Sequence, residues 1–279
     1  RCLVPHPLRP SYSNSKYVSR IRRYYSDVQG NLWLGCLHNI SLVNFYHNNV
    51  ERVERNDATD TRAILQLPSA DGNIVTASYG GKFMVYDSRL NLLSQERIAS
   101  NVYALHYDRK GRLWIGTKGD GLIMRDAAGR QTVFLHDVAD TYSISHNRIY
   151  DSKEDSRGRI LVATYGGGLT RYDGYSFLSF TFGNRRLSLR SNSCRNVVED
   201  RFGRLWVSFD EGTDVIDLNS YQKAEITSKV GDINKILSQP SVTVYRDTKD
   251  NIWLLTNSHI YRFSFDETGN ICDINTGKY

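Results

Sequence analysis

The chain has 279 residues, 40% of them hydrophobic, enough to bury a substantial core. No apolar run approaches the roughly 20 residues of a membrane-spanning helix, and Arg1 to Lys16 hold no hydrophobic stretch of a signal peptide, so the expectation is a cytosolic protein or one whose targeting segment has been removed. The net charge of +6 is the balance of 36 basic and 30 acidic residues mixed along the chain, the pattern of an ordinary solvated surface, and no nucleic-acid partner is expected from it.

A proline-marked lead-in, 1–16, is followed by short runs rich in β-branched and aromatic residues, each bounded by turn residues. The runs fall into six groups of four. The first group, about 17–56, reads Val18–Tyr25, Leu32–Leu37, Ile40–Tyr46 and Val50–Arg55. The second, about 57–97, reads Arg62–Leu67, Ile74–Ser78, Lys82–Tyr86 and Leu92–Glu96. The third, about 98–139, reads Val102–Tyr107, Leu113–Thr117, Leu122–Arg125 and Thr132–Leu135. The fourth, about 140–187, reads Arg148–Lys153, Ile160–Thr164, Leu169–Tyr172 and Phe177–Phe182. The fifth, about 188–233, reads Cys194–Glu199, Leu205–Phe209, Asp214–Leu218 and Ala224–Thr227. The sixth, about 234–279, reads Val242–Arg246, Ile252–Thr256, Ile260–Phe265 and Ile271–Ile274. No segment keeps a 3.6-residue period, so no helix is expected.

One stretch recurs through these groups. Gly111-Arg112-Leu113-Trp114-Ile115-Gly116-Thr117 has near copies at Gly30–Gly35 and Gly203–Ser208, a looser one at Asp250–Thr256, and copies without tryptophan at Gly72–Ser78 and Gly158–Thr164. The anchor positions are 33, 75, 114, 161, 206 and 253, and all four tryptophans fall on them. A strand-built repeat of roughly 40–50 residues is the mark of a β-propeller. The expected fold is therefore all-β: one propeller domain spanning 1–279, of four-stranded antiparallel blades. A D-x-x-G turn precedes the anchor at Asp27, Asp108, Asp155 and Asp200, with Ser69 in place of the Asp in the second repeat and Asp250 in place of the Gly in the sixth. Asp first and Gly fourth suit a type I turn, so these aspartates read as turn formers. The tryptophans read as wedges between packed sheets.

Cys2, Cys36, Cys194 and Cys272 show no metal-binding spacing. Cys36 and Cys194 read as buried thiols. A propeller brings its first and last blades together, so Cys2 and Cys272 are a candidate disulfide in an exported protein.

The pattern D-x-x-G-x-[LI]-W-[IVL]-[GS]-T, followed by G-G-L and an Asp, resembles the two-component regulator propeller repeat. Its best copies here are Asp108–Asp126, Asp155–Asp173 and Asp27–Phe45. The Gly-His and Trp-Asp pairs of another propeller class, the WD40 repeats, are missing. The resemblance implies the periplasmic sensor region of a bacterial hybrid two-component system. Such regions stand ahead of an immunoglobulin-like domain, a membrane helix and a cytoplasmic histidine kinase, and sense glycans. The partners implied are an oligosaccharide, a neighbouring propeller or immunoglobulin-like domain of the same receptor, and a second copy in a homodimer. Propellers of the family usually have seven blades, whereas six motifs are visible; either the ring has six, or the seventh lies outside these residues.

With the repeats aligned on their turns, the position seven residues before the turn reads Arg20, Arg62, Asn101, Arg148, Ser193 and Pro240. The loop after the second strand, expected on the same face, carries Tyr79, Lys118, Tyr165, Asp210 and Asn257, with His38, Glu211 and His259 close by. The candidate ligand-binding set is Arg20, Arg62, Tyr79, Asn101, Lys118, Asn147, Arg148, Tyr165, Asp210 and His259. Arginine offers paired donors to carboxylate or sulfate, tyrosine a flat face for a sugar ring, and asparagine adaptable hydrogen bonds. No metal site, cofactor or catalytic set is expected: the seven histidines are scattered singly, and no nucleophile elbow or phosphate loop is present. The function expected is a sensor propeller for a glycan, including an acidic one. The alternatives are a protein-docking or dimerisation scaffold and a propeller lyase or hydrolase.

Overall fold

The computed structural model describes residues 23–26, 32–35, 39–44, 49–54, 60–68, 71–185 and 187–278. The first sheet holds β1 (Arg23–Ser26), β2 (Leu32–Gly35), β3 (Asn39–Asn44) and β4 (Asn49–Glu54). The second holds β5 (Thr61–Gln66), β6 (Ile74–Ser78), β7 (Lys82–Tyr86) and β8 (Leu92–Arg97), and the third β9 (Val102–Tyr107), β10 (Leu113–Thr117), β11 (Leu122–Arg125) and β12 (Gln131–Phe134). The fourth holds β13 (Ile149–Glu154), β14 (Ile160–Thr164), β15 (Gly168–Tyr172) and β16 (Phe177–Phe180), and the fifth β17 (Cys194–Glu199), β18 (Arg204–Phe209) and β19 (Gly212–Asp217). After a short helix, α1 (Ile233–Leu237), the sixth holds β20 (Ser241–Arg246), β21 (Ile252–Thr256), β22 (His259–Phe265) and β23 (Ile271–Lys278).

Each sheet is an antiparallel meander of consecutive strands. Their first strands pack on one another in chain order, β1 on β5, β5 on β9, β9 on β13, β13 on β17 and β17 on β20. The second strand of each of the first five sheets also meets the first strand of the next. Sheets stacked face to face with their first strands on one side form the β-propeller that the repeat predicts.

Two expectations change. The run Ala224–Thr227 forms no strand: it keeps one ladder bond, Ala224 N–H to the Val215 carbonyl at 2.8 Å, and then leaves β19. Lys229 N–H and the Thr227 carbonyl bond Ile271 instead, so this segment runs beside β23 of the next sheet. The edge of β19 is closed by the Arg190 guanidinium, which donates to the carbonyls of Thr213 and Glu211 at 3.3 and 3.4 Å. The other change is α1, too short for a periodic signal. Asp232 caps it, accepting from Lys235 N–H, and its buried Ile233 and Leu237 join the core between the fifth and sixth sheets. Cys2 and Cys36 lie outside the described residues. Cys194 is fully buried, and Cys272 is exposed on β23.

The wedges between sheets follow one rule. Trp33, Trp114 and Trp206 are at most 1% exposed, and each faces the following sheet. The Trp114 ring lies 5.7 Å from Tyr172 of the fourth sheet, and Trp206 lies 5.6 Å from Phe263 of the sixth. The small residue two places on lets the backbones close up: a Cβ on Gly116 would stand 2.7 Å from Ile149 Cγ2 in the next sheet. Trp253, on the sixth sheet, is only partly buried.

The turn aspartates do more than turn the chain. Asp108 Oδ1 accepts from the N–H groups of Lys110 and Arg112, while Oδ2 accepts from Arg112 Nε at 2.6 Å and from the Trp114 indole at 2.8 Å. Asp200 and Asp247 make the same bond to Trp206 and Trp253, at 2.9 and 2.8 Å. One carboxylate thus fixes the turn and orients the wedge. Burial opposes the charge on Asp108, but these donors outweigh it and hold the carboxyl below its usual range. The fourth turn residue adopts positive φ, +73° at Gly111; in the sixth repeat Asp250 takes that conformation at +63° and anchors Arg246 in recompense.

Candidate ligand-binding collar

In the second to sixth sheets the first strand slips by one residue against the second, at the end opposite the D-x-x-G turns. The residues skipped by the ladder are Arg62, Tyr103, Tyr150, Arg195 and Val242. A bulge of this kind re-aims a side chain out of the ladder. Here it gathers four of the five side chains, together with the loops after the second strands, into a continuous collar across four sheets.

The collar can be followed from one carboxylate to another. Asp60 Oδ2 holds Arg62 Nη2 at 2.6 Å, and the Arg62 guanidinium lies 5.1 Å from the Tyr103 ring centre. Tyr103 and Tyr150 are 5.1 Å apart, and Tyr150 stacks on Tyr165 at 5.0 Å. The Tyr165 hydroxyl donates to Asp210 at 3.2 Å, and Asp210 also binds Arg195. The Arg195 guanidinium lies 6.0 and 5.9 Å from the Tyr150 and Tyr165 rings. Lys118 reaches over Tyr79 and Tyr103 at 5.6 and 5.9 Å. Burial, then the neighbouring Tyr103, raises the Tyr150 phenol above its ordinary value, so it stays a neutral donor. Burial works against the charge of Arg195, but its bond to Asp210 raises its pKa above the ordinary guanidinium value.

Of the residues named from sequence, the structure brings Arg62, Tyr79, Lys118, Tyr165 and Asp210 together. Arg20 and His38 lie outside the described residues. Arg148 is exposed at the same rim, bridged to Lys118 across adjacent sheets. The Asn101 carboxamide accepts from Gly80 N–H at 3.0 Å, and that of Asn147 from His136 N–H at 2.7 Å, so their side-chain oxygens strap one sheet to the next. Asn192 repeats the Asn147 strap on Phe182. His259 begins β22, with its ring 5.7 Å from Tyr261 and its Nδ1 2.7 Å from Ser258 Oγ.

The position of Arg62 requires a correction of register. Alignment on Ser69 puts it level with Asn101, but the turn of the second sheet is two residues longer. There Leu67 N–H reaches the Asn73 carbonyl, where Asp108 N–H reaches that of Arg112. Asp60 is the residue level with Asn101, Arg148 and Pro240, and each of these carbonyls accepts from the loop after its second strand. In the corrected frame Arg62, Tyr103, Tyr150 and Arg195 share the position five residues before the turn. That column, read alone, contains the signal for three collar residues the sequence reading passed over.

The collar offers a continuous run of aromatic faces and cations with one carboxylate at each end, Asp60 and Asp210. Among the described residues no group of three or more His, Cys, Asp and Glu is arranged to hold a metal. A cavity of about 470 Å³ opens elsewhere, against Phe182, Leu187, Leu189, Arg190, Gln222 and Lys223. Its two cations, Arg190 and Lys223, are committed to Asp214 at 3.3 Å each.

The fold defines a β-propeller protein. Within it, residues 97–119 match the family described as two component regulator propeller. The matched stretch holds the Asp108 turn, Gly111 and the Trp114 wedge, and that stretch carries the family's repeat. No curated protein matches the chain in sequence. Among solved structures it is similar to the extracellular domain of the putative hybrid two component system BT4673 from B. thetaiotaomicron, with 15% identity and a TM-score of 0.46 over 87% of this chain. The chain spans 40% of the length of that protein. It is also similar to virginiamycin B lyase from Staphylococcus aureus, with 10% identity, 92% of this chain and 83% of the other covered, and a TM-score of 0.66. Raptor from Chaetomium thermophilum matches at 12% identity and a TM-score of 0.68, over 94% of this chain and 25% of its own. At these identities the likenesses to the lyase and to Raptor describe the fold alone, and the lyase's chemistry does not transfer with it.

Proposed function

We propose that this chain is an extracytoplasmic sensor propeller of a two-component signalling receptor, and that the collar is where it meets a glycan. The observation that supports this most is the Tyr103–Tyr150–Tyr165 run flanked by Arg62, Lys118 and Arg195, set on a scaffold that repeats everywhere else. Flat phenol rings stack on the apolar faces of pyranoses, and their hydroxyls together with Asp60 and Asp210 answer sugar hydroxyls. An open collar suits an extended oligosaccharide. Binding would favour one packing of the propeller against its neighbours in the receptor, a sister chain or an adjoining domain, and that bias would carry the signal to a kinase domain.

A glycan array on the purified chain, followed by calorimetry, tests this reading. The expected result is a defined set of oligosaccharide hits whose affinity falls about tenfold or more when Tyr150 and Tyr165 are both replaced by Ala. An array without hits rules the reading out. The second reading, a docking scaffold, draws on Val138, Tyr142 and Tyr175, large apolar side chains that are 90%, 69% and 97% exposed. Under that reading a protein partner is captured and the tyrosine pair is silent.

A further inference from the structure

The cations of the rim fall into two kinds. Arg62 and Arg195 are tied to Asp60 and Asp210. Lys118 and Arg148 make no ion pair among the described residues, although they stand side by side: an isolated antiparallel bridge joins them across the third and fourth sheets. Their backbones are pinned, Lys118 N–H to the Asn101 carbonyl at 3.0 Å and Tyr165 N–H to the Arg148 carbonyl at 2.9 Å. Asp120, two residues from Lys118, is engaged elsewhere, accepting from Ser100 N–H at 3.0 Å and Ser100 Oγ at 2.5 Å. His146 next to Arg148 accepts from the Arg148 N–H at 3.0 Å, and burial together with Arg148 and His136 keeps it neutral. Like charges opposed on neighbouring strands repel. The Tyr79 and Tyr103 rings nevertheless hold the Lys118 ammonium in place, so its position is set before any ligand arrives.

We infer that Lys118 and Arg148 form an anion-binding pair, and that the glycan this collar takes is acidic, bearing carboxylate or sulfate groups. The inference rests on the glycan-sensing reading above and narrows it to a charge class. The paired Arg62 and Arg195 hold the collar's shape, whereas Lys118 and Arg148 have no carboxylate partner among the described residues. An anionic substituent would receive two charge-assisted bonds and relieve the repulsion between the cations.

The test is calorimetry on the purified chain, at near-physiological salt, with an oligogalacturonate, a heparin-derived oligosaccharide and a neutral galacto-oligosaccharide of equal length. At least one acidic probe is expected to bind more tightly than the neutral one, and which of them binds distinguishes carboxylate from sulfate. Lys118→Gln with Arg148→Gln should weaken that binding about tenfold or more, with the melting temperature unchanged, while Lys118→Arg retains most of it. Neutral glycans binding as well as acidic ones, or a double variant that binds the acidic probe like the parent chain, overturns the anion pair and leaves the sensor reading standing. An array on which no glycan binds removes both.

Discussion

The two ends of the third to sixth sheets are built on opposite plans. At the turn end, Asp108, Asp155, Asp200 and Asp247 carry out one task in four places: Oδ1 takes two backbone N–H groups, and Oδ2 takes a side-chain donor from the residue four places on. At the collar end the backbone also repeats, with the same bulge in five sheets, but the side chains placed there are Arg62, Tyr103, Tyr150, Arg195 and Val242. Where geometry and chemistry both recur, the shared element is geometry and the residue serves the scaffold. Where geometry recurs and chemistry diverges, the scaffold is presenting side chains for another purpose.

The sharpest way to break this contrast is at the wedge. Trp114→Ala removes a fully buried indole packed on Phe134 and Tyr172 and leaves Asp108 without a buried donor. The expected cost is about 3–5 kcal/mol. Trp253→Ala, at the partly buried copy, should cost roughly half of that. Urea denaturation of the two variants checks the order. Equal losses would mean that the sixth wedge is covered as fully as the others.

How much of this could be read in advance depended on whether the signal was periodic. β6, β7, β9, β10, β11, β14, β17 and β21 fall on the expected boundaries, because a strand between turn residues announces itself in the chain. The lost strand after β19 did not: Ala224–Thr227 has strand-like composition, and tertiary pairing with β23 decided otherwise. The indole bond was half legible, since the spacing of Asp108 and Trp114 was visible but their contact across the strand was not. The collar was misread in one column because a bulge alters no letter of the sequence. Its position came from the ladder, after which Tyr103, Tyr150 and Arg195 fell into line.

Close to the turn end sits His106, the fifth of the six residues of β9, and it sharpens the comparison by coupling the sheets through a titratable group. Its Nε2 accepts from Glu154 N–H at 3.2 Å, which requires the neutral ring. Burial first, then Lys153, lowers its pKa from 6.5 to about 4, against the pull of Asp151 and Asp108. The proton therefore binds mainly when the chain is unfolded, and stability falls as pH drops from 6.5 toward about 4, with no contribution above that window. The expected loss is roughly 2–3 kcal/mol at the acid end. His106→Gln should lack this slope when denaturation is compared at about pH 7 and about pH 4. Parallel curves for the two proteins would show that the ring is not held neutral by the fold.

The smallest effect is expected where the turn end meets solvent. Arg109 looks like a strong strap: it donates to the Asp155 carbonyl at 2.6 Å and the Ser156 carbonyl at 3.3 Å, and pairs with Glu154 at 3.3 Å, all in the next sheet. Yet its side chain is 61% exposed, so water competes for every one of these bonds and salt screens the pair. The backbone strap beneath it, Arg109 N–H to Glu154 Oε2 at 2.8 Å, survives any substitution of the side chain, and Ser156 N–H repeats it on Glu199 at 2.6 Å. Arg109→Ala should therefore cost below about 1 kcal/mol, and the cost should shrink further as salt is raised. A larger loss that is indifferent to salt would mean that the guanidinium itself, rather than the repeated carboxylate-to-backbone bond, holds the third and fourth sheets together at this end. The separation between a repeating scaffold and a variable rim would then fail at a position where the repeat is most regular.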